Sequence, residues 1–385
     1  MKKLFTPFLI VIAVLLSVNS SAQTNRSNTK KSVANKANYQ RIASGGSHTL
    51  EIRNSTLWAW GNNISGQLGD GTTTQKNRPV QIGTDNKWVS VTAGAFHSLC
   101  LKSDGTLWAW GDNRYGQLGD GTTTQKNSPV QIGMDNKWAS IEAGGDHTLG
   151  LKTDGTLWAW GDNRYGQLGD GTTTNRISPV QIGTDNKWVG FTAGDSHTLG
   201  LKLDGTLWAW GQDNLGQLGY GTFTNQTSPV QIGTDNKWVS IKAGGYLSLG
   251  LKSDGTLWAW GNNDDGQLGD GTTTYRTIPI QIGTDKKWVS VTTGGLHTLG
   301  LKSDGTLWAW GGNFHGQLGD GTTIQKTSPV QIGRDNKWIR VIVGGLHTFG
   351  FKSEGTLWAW GWNSIGQLGD GTTTQKTSPV QIGMD

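Results

Sequence analysis

Apolar and polar side chains alternate along Trp138–Ala143, with Ala139, Ile141 and Ala143 on one face. The alternation resumes in His147–Lys152, with Leu149 and Leu151 turned inward. A period of two predicts strands rather than helix. Gly144-Gly145 turns the chain between the two runs. Asp154-Gly155 then reads as a two-residue hairpin turn with positive φ at both positions. A third strand is expected over Thr156–Trp160, with Trp158 and Trp160 on one face. After a glycine-rich stretch over 161–178, Pro179–Ile182 reads as a short fourth strand, and its proline suits an edge. Residues 183–187 lead into the next run.

This unit recurs. Trp58, Trp108, Trp158, Trp208, Trp258, Trp308 and Trp358 are spaced by 50 residues, as are Trp60 and its six counterparts. A period near 50 points to a propeller or a solenoid. A four-stranded unit cannot bury both of its faces alone, whereas stacking around a ring buries them and leaves short edges. The expected fold is all-β: a seven-bladed β-propeller of four-stranded antiparallel blades spanning residues 38–385. The tryptophans are the expected filler between blades. Tyr39 and Ile42 align with Trp88 and Val91 once a one-residue deletion is placed at the Asn54-Ser55 turn. Each strand type then occurs seven times. The alternation does not say which strand is innermost, nor whether the closing blade is composite.

Composition changes the picture mainly at the N-terminus. No helical pattern survives past residue 22, and 60 glycines with 21 tryptophans fit a repetitive β chain. Residues 1–22 read as a secretory signal: Lys2 and Lys3, an apolar run from Phe8 to Val18, then Ser20-Ser21-Ala22 before an expected cut at Gln23. A flexible linker is expected over 23–37. The net charge of +5 comes from the leader and this linker, where Lys2, Lys3, Arg26, Lys30, Lys31 and Lys36 face no acid; the body from 38 onward nets −1. A nucleic-acid binder carries its positive charge on the folded body, so no nucleic-acid partner is expected. Cys100 is the only cysteine, which rules out an intrachain disulfide.

Three motifs invite chemistry. Histidine stands at 48, 97, 147, 197, 297 and 347, with Leu247 in the fifth copy. Equivalent positions in different blades are too far apart to share one ion unless they line the axis, so hydrogen bonding is the expected role and no metal is expected. Asp195-Ser196-His197 sets three catalytic residue types side by side, but triad members converge from separate segments. The Gly-Asp-Gly-Thr runs, such as 119–122, lack the oxygen spacing of a calcium loop and read as turns.

Differences between copies mark the expected binding surface. The residue before each histidine position varies most: Ser47, Phe96, Asp146, Ser196, Tyr246, Leu296 and Leu346. So does the pair before each Gly-Gln-Leu-Gly: Ile64-Ser65, Arg114-Tyr115, Arg164-Tyr165, Asn214-Leu215, Asp264-Asp265, Phe314-His315 and Ser364-Ile365. Antiparallel connectivity places both sets at one end of every blade. From these we expect Phe96, Arg114, Tyr115, Arg164, Tyr165, Tyr246, Leu296, Phe314, His315, Leu346 and Ile365 to contact a partner. Tyr, Phe and Arg are the types that dominate interface energetics.

The run Asp104-Gly105-Thr106-Leu107-Trp108-Ala109-Trp110-Gly111, then Asn113 and Gly116-Gln117-Leu118-Gly119, resembles the regulator-of-chromosome-condensation repeat family. The His-Ser-Leu of 97–99 fits the same pattern. The resemblance covers residues 38–385, and Gly-Gln-Leu-Gly recurs in all seven copies. It implies a seven-bladed propeller that binds proteins. The nuclear founding member is an exchange factor for a small GTPase and binds chromatin, but the spacing here leaves no room for its wedge-like hairpin. The plant ultraviolet-B receptor branch carries Trp two residues before the histidine, where this chain has Gly46, Ala95, Gly145, Asp195, Gly245, Gly295 and Gly345. A secreted bacterial branch, including an inhibitor that covers a β-lactamase with one face, is nearest in compartment and size. The expected function is therefore an exported, non-enzymatic protein-binding scaffold. It would be monomeric, without cofactor or membrane span after signal cleavage, and located in the periplasm, on the surface or outside a bacterium. The alternatives are a propeller-framed carbohydrate-active enzyme, which needs converging carboxylates, and a structural module from a longer repeat array.

Overall fold

The computed structural model describes residues 42–383. The expected signal (1–22), the linker (23–37) and Tyr39 lie outside the described residues. Twenty-eight strands, β1–β28 in chain order, form seven four-stranded antiparallel sheets, each built from four consecutive strands. The first blade is β1 (Ile42–Ser44), β2 (His48–Arg53), β3 (Thr56–Gly61) and β4 (Lys76–Gln81). The third is β9 (Trp138–Ala143), β10 (His147–Lys152), β11 (Leu157–Gly161) and β12 (Arg176–Gln181). The last is β25 (Trp338–Val343), β26 (His347–Lys352), β27 (Leu357–Gly361) and β28 (Lys376–Ile382). No blade is composite: the first and last are each contiguous in sequence. Both ends of the third and fourth strands differ from the sequence reading. The third runs Leu157–Gly161 rather than Thr156–Trp160, and the fourth Arg176–Gln181 rather than Pro179–Ile182, because Arg176 still pairs with Gly161.

The first strand of each blade is innermost. β1 neighbours both the first strand of the second blade and β25 of the last, while the fourth strands are the most exposed. At one end of the channel a closed ring of backbone hydrogen bonds links all seven blades. It runs from Gly46 N to Gly94 O (3.1 Å), through Asp195 N to Gly245 O (3.2 Å), to Gly345 N donating to Gly45 O (3.2 Å). Glycine is required there: a Cβ on Gly94 would lie 2.5 Å from Gly144 O and 2.3 Å from His97 Cε1.

There is no single core. Seven apolar wedges each lie between one blade and the next. In one, Leu50, Ile52, Leu57, Leu68 and Ile82 of the first blade meet Trp88, Cys100 and Trp110 of the second. The second tryptophan of each Trp-Ala-Trp is completely buried, and Trp160 Nε1 donates to Gln117 O of the previous blade at 3.0 Å. The first is half-buried, with Trp158 Nε1 bonded to Thr156 Oγ1 at 2.9 Å. Over it lies Lys152 Nζ, 3.5 Å from the ring centroid and 2.7 Å from Asp135 Oδ2.

The Asp-Gly turn differs from expectation. Gly155 has φ +82°, while Asp154 does not have positive φ. Gly155 N donates to Lys152 O (3.0 Å) and Lys152 N to Thr156 O (3.0 Å), a turn closed by one left-handed glycine with a longer loop. The aspartate serves by accepting from Thr156 N and Oγ1 at 3.0 and 2.7 Å. The two-residue turn with both φ positive occurs instead at Asn54 (48°) and Ser55 (65°), where the first copy is one residue shorter.

Candidate functional site

The six histidines are structural. Each is fully buried, and its Nε2 meets a hydroxyl of the next blade: His48 with Ser98 (2.8 Å), His97 with Thr148 (3.1 Å), and His347 across the closing interface with Ser44 (2.6 Å). Burial lowers their pKa to about 3, or about 4 for His147, so the rings are neutral. The Gly-Asp-Gly-Thr runs are likewise turns: Asp120 Oδ1 accepts from Thr122 N, Thr122 Oγ1 and Asn113 Nδ2. Among the described residues no group of three or more His, Cys, Asp or Glu side chains could hold a metal.

The variable positions do converge at one end of the blades. The loops that carry them are rigid because the glutamine of every Gly-Gln-Leu-Gly is fully buried. Its Oε1 accepts from the backbone of the second variable residue, as Gln117 does from Tyr115 N (2.9 Å) and Gln167 from Tyr165 N (3.0 Å). The first residue of the pair is therefore lifted into solvent, and the second lies half-buried.

Two groups form. In the second and third blades Arg114 and Arg164 flank Tyr115, with guanidinium carbons 5.9 and 4.7 Å from its ring centroid. Each arginine is held from behind by a buried aspartate. Arg164 forks onto Asp162 with Nε–Oδ1 2.9 Å and Nη2–Oδ2 3.0 Å, and Arg114 reaches Asp112 at 2.7 Å. The arginine side chains remain 66% and 54% exposed, whereas their aspartates are 4% and 3% exposed. Fixed guanidinium planes with free outer edges lose little entropy on docking. Asp146 lies behind them, its carboxyl pushed up to about 6 by burial and then by Asp112 and Asp162, against the pull of Arg114 and Arg164. Phe96, Ile64, Ser65, Asp112 and Arg114 line an open cleft of about 510 Å³ beside this group. Tyr246 lies within the electrostatic reach of Tyr165 and Asp195, which raise its hydroxyl pKa after burial does.

The second group lies on the sixth and seventh blades. His315 stacks on Trp362 with centroids 5.8 Å apart, and Trp362 N donates to Leu346 O. Leu296 packs over Gly312, and Phe314 is 56% exposed. Ile365 is held half-buried by Gln367. The sequence reading missed Asp112, Asp162 and Trp362, which follow Trp-Ala-Trp-Gly directly. That position also varies between copies (Asn62, Asp112, Asp162, Gln212, Asn262, Gly312, Trp362), and this was the available signal.

Solved structures with this architecture include human WBSCR16 (TM-score 0.78, 23% identity, 86% of this chain and 94% of that one). Prp20p from Saccharomyces cerevisiae is as similar (0.78, 22%, 87% of each). The CRINKLY WD40 ectodomain of the Arabidopsis thaliana receptor kinase ACR4 is more distant (0.53, 16%, 90% and 98%). At these identities the likeness is one of fold. The sequence pattern of the RCC1-like domain matches residues 16–240, and the regulator of chromosome condensation (RCC1) repeat matches 254–301, 304–350 and 354–385. With more than half of its length matched and the repeat carried through to its last blade, the chain belongs to the RCC1 repeat family.

Proposed function

We propose that this propeller is an exported, non-enzymatic scaffold that binds a protein through the variable end of its blades. The observation that carries the reading is the Arg114–Tyr115–Arg164 stack, preorganised by buried Asp112 and Asp162 and open to solvent. Protein binding has precedent on this fold, since the Prp20p structure is described with binding to Gsp1p and histones. An ectodomain among the similar folds gives a precedent outside the cell. Enzyme chemistry is disfavoured at this site because two of its three carboxylates, Asp112 and Asp162, are spent on arginines.

The test is a pull-down from the native envelope or culture medium with the mature chain, then calorimetry with the captured protein. Tyr115→Ala and Tyr165→Ala should each weaken binding by roughly 1–3 kcal/mol if they are hot spots. Asp204→Ala, in an Asp-Gly turn at the other end of the blades, should bind as wild type. Equal affinities for all three variants would remove the function from this face. Export is tested separately: mass spectrometry of the protein from its native host should find Gln23 as the first residue, and a chain still starting at Met1 would refute cleavage.

A further inference from the structure

The loop between third and fourth strands is built alike in six blades and differently in the fourth. In six, a fully buried asparagine (Asn63, Asn113, Asn163, Asn263, Asn313 or Asn363) sits at its centre. In the first blade, Asn63 Oδ1 accepts from Leu68 N at 2.9 Å. Its Nδ2 faces four acceptors: Asp70 Oδ1 (3.0 Å), Thr72 O (3.1 Å), Thr72 Oγ1 (3.3 Å) and Thr74 O (3.2 Å). Asp70 in turn pairs with Lys76. Lysine or arginine plays that part in all six.

The fourth blade changes three of these residues together. Asp213 replaces the asparagine, Tyr220 the aspartate and Gln226 the cation. Asp213 Oδ1 still accepts from Leu218 N at 2.8 Å. That contact leaves Oδ2 where the other blades place the donor Nδ2. Asp213 is completely buried, and its Oδ2 has no hydrogen-bond partner. Of the neighbouring hydroxyls, Tyr220 donates to Thr224 O, while Thr222 Oγ1 accepts from Thr224 N at 3.3 Å and keeps its own proton. Gln226 Nε2 donates to the Tyr220 hydroxyl at 2.9 Å and brings no charge.

We propose that this loop is a proton-responsive element: a proton on Asp213 Oδ2 restores the donor that asparagine supplies in the six sister loops, and its loss loosens the segment that displays Phe223. A carboxylic acid has the shape of the amide and donates one hydrogen bond, here to Thr222 O, which Tyr220 does not serve. An ionised carboxylate sets oxygen against oxygen in a buried site, which is costly. Burial raises the carboxyl pKa to about 6, opposed by the Leu218 N–H, the Tyr220 hydroxyl, the Thr224 N–H and the Thr222 hydroxyl. No counter-charge faces it. Tyr220 is the titratable group on its own loop; on the adjoining strand Thr277 and Ile278 are uncharged, and Arg276 is bound to Asp270. Phe223 is 58% exposed, at the position equivalent to Thr123 of the cleft on the variable end. Protonation therefore acts at the rim of that surface, and the device stands whether or not the surface binds a protein.

Amide hydrogen exchange of the intact propeller tests this, with the third-blade loop, residues 169–176, as a control inside the same molecule. After correction for intrinsic exchange, the two loops should be equally protected near about pH 5, below the carboxyl pKa. Near about pH 8 the fourth-blade loop, 219–226, should exchange about tenfold faster than the control. Asp213→Asn, which introduces the residue of the six sister loops, should abolish that difference. Equal protection of both loops at both pH values overturns the proposal, as does a difference that persists in Asp213→Asn. Millimolar calcium added at the higher pH is the remaining arm. Protection of wild type but not of Asp213→Asn would mean that a metal rather than a proton satisfies the acceptors, and would also overturn it.

Discussion

Acidification from about pH 6.5 to about pH 4.5 is expected to unfold the propeller, through its ring of histidines. Six imidazoles are fully buried. Burial is the main cause of their low pKa, and neighbouring histidines add to it: His347 acts on His48, and His48 and His147 act on His97. In the unfolded chain the same rings titrate near 6.5. Between that value and about 3 to 4, the unfolded state binds more protons than the folded one. Stability is therefore full above pH 6.5 and falls as pH drops below it. Well below pH 6.5 each pH unit costs about 1.4 kcal/mol per histidine; in the first unit, where the unfolded rings are only partly protonated, the cost is about 1 kcal/mol each, so six lose about 6 kcal/mol. Whole domains are stable by only about 5–15 kcal/mol. Carboxyls with raised pKa act in the opposite sense: Asp146 and Asp213 each gain stability as pH falls through about 6. Burial raises Glu51, Glu142, Asp195 and Asp265 as well, and these carboxyls return part of the loss. Urea midpoints measured across this range should fall steeply. His297→Leu should fold, because Leu247 fills the same position, fully buried, in the fifth blade, and it should reduce proton uptake on unfolding by about one. A flat profile, or a slope unchanged in the variant, would assign acid sensitivity elsewhere.

The alternation of side chains made the blades legible, and the 50-residue spacing made their number legible. What escaped was what depends on neighbours in space. All four strands of a blade alternate in similar fashion, so nothing in Trp138–Ala143 alone says that it faces the axis; the inter-blade bonds of Gly145, to Gly194 O and from Ala95 N, say it. The hairpin signal of Asp154-Gly155 was read from the turn that suits a two-residue loop, whereas the aspartate prefers to cap Thr156 and leaves the positive φ to glycine alone. At the candidate site, Arg114, Tyr115 and Arg164 were visible because they break a repeat. Their arrangement was not, because it rests on Asp112 and Asp162 underneath. The fourth-blade exchange was least visible of all. Asp213, Tyr220 and Gln226 look like three unrelated substitutions until the hydrogen bonds of Asn63 and Asp70 show that they share one site.

Trp60→Ala should destabilise the propeller by about 3–5 kcal/mol, the usual cost of removing a fully buried aromatic, and as much as Trp160→Ala does. The comparison tests closure, because the two tryptophans occupy equivalent wedges. Trp160 lies between the second and third blades. Trp60 lies between the first and the last, packed with Ile42, Phe349, Leu357, Leu368 and Ile382. Its ring meets Phe349 edge-on at 6.1 Å, and its Nε1 donates to Gln367 O at 3.0 Å. Since no strand is exchanged between first and last blades, this wedge holds the ring shut with five further polar links. They are Ser44 Oγ to His347 Nε2 (2.6 Å), Gly345 N to Gly45 O (3.2 Å), Gly371 N to Asn77 O (2.9 Å), Thr49 Oγ1 to Gln367 O (3.3 Å) and Asn77 Nδ2 to Gly371 O (3.1 Å). In a closed ring every wedge bears the same load, so losing either tryptophan should cost alike. In an open arc Trp60 would line a solvent-exposed end, and its removal would be nearly neutral. Deleting residues 38–44 should act in the same direction and further. It removes β1, which pairs Ile42 with Glu51 and Ser44 with Thr49, and so exposes β2 as an edge. It also strands the His347 imidazole without its hydroxyl. Deleting 23–37 should leave the melting temperature of a chain that starts at Gln23 unchanged. A shortened chain lacking 38–44 that melts with the intact one, together with a harmless Trp60→Ala, would show that the seventh wedge does not close.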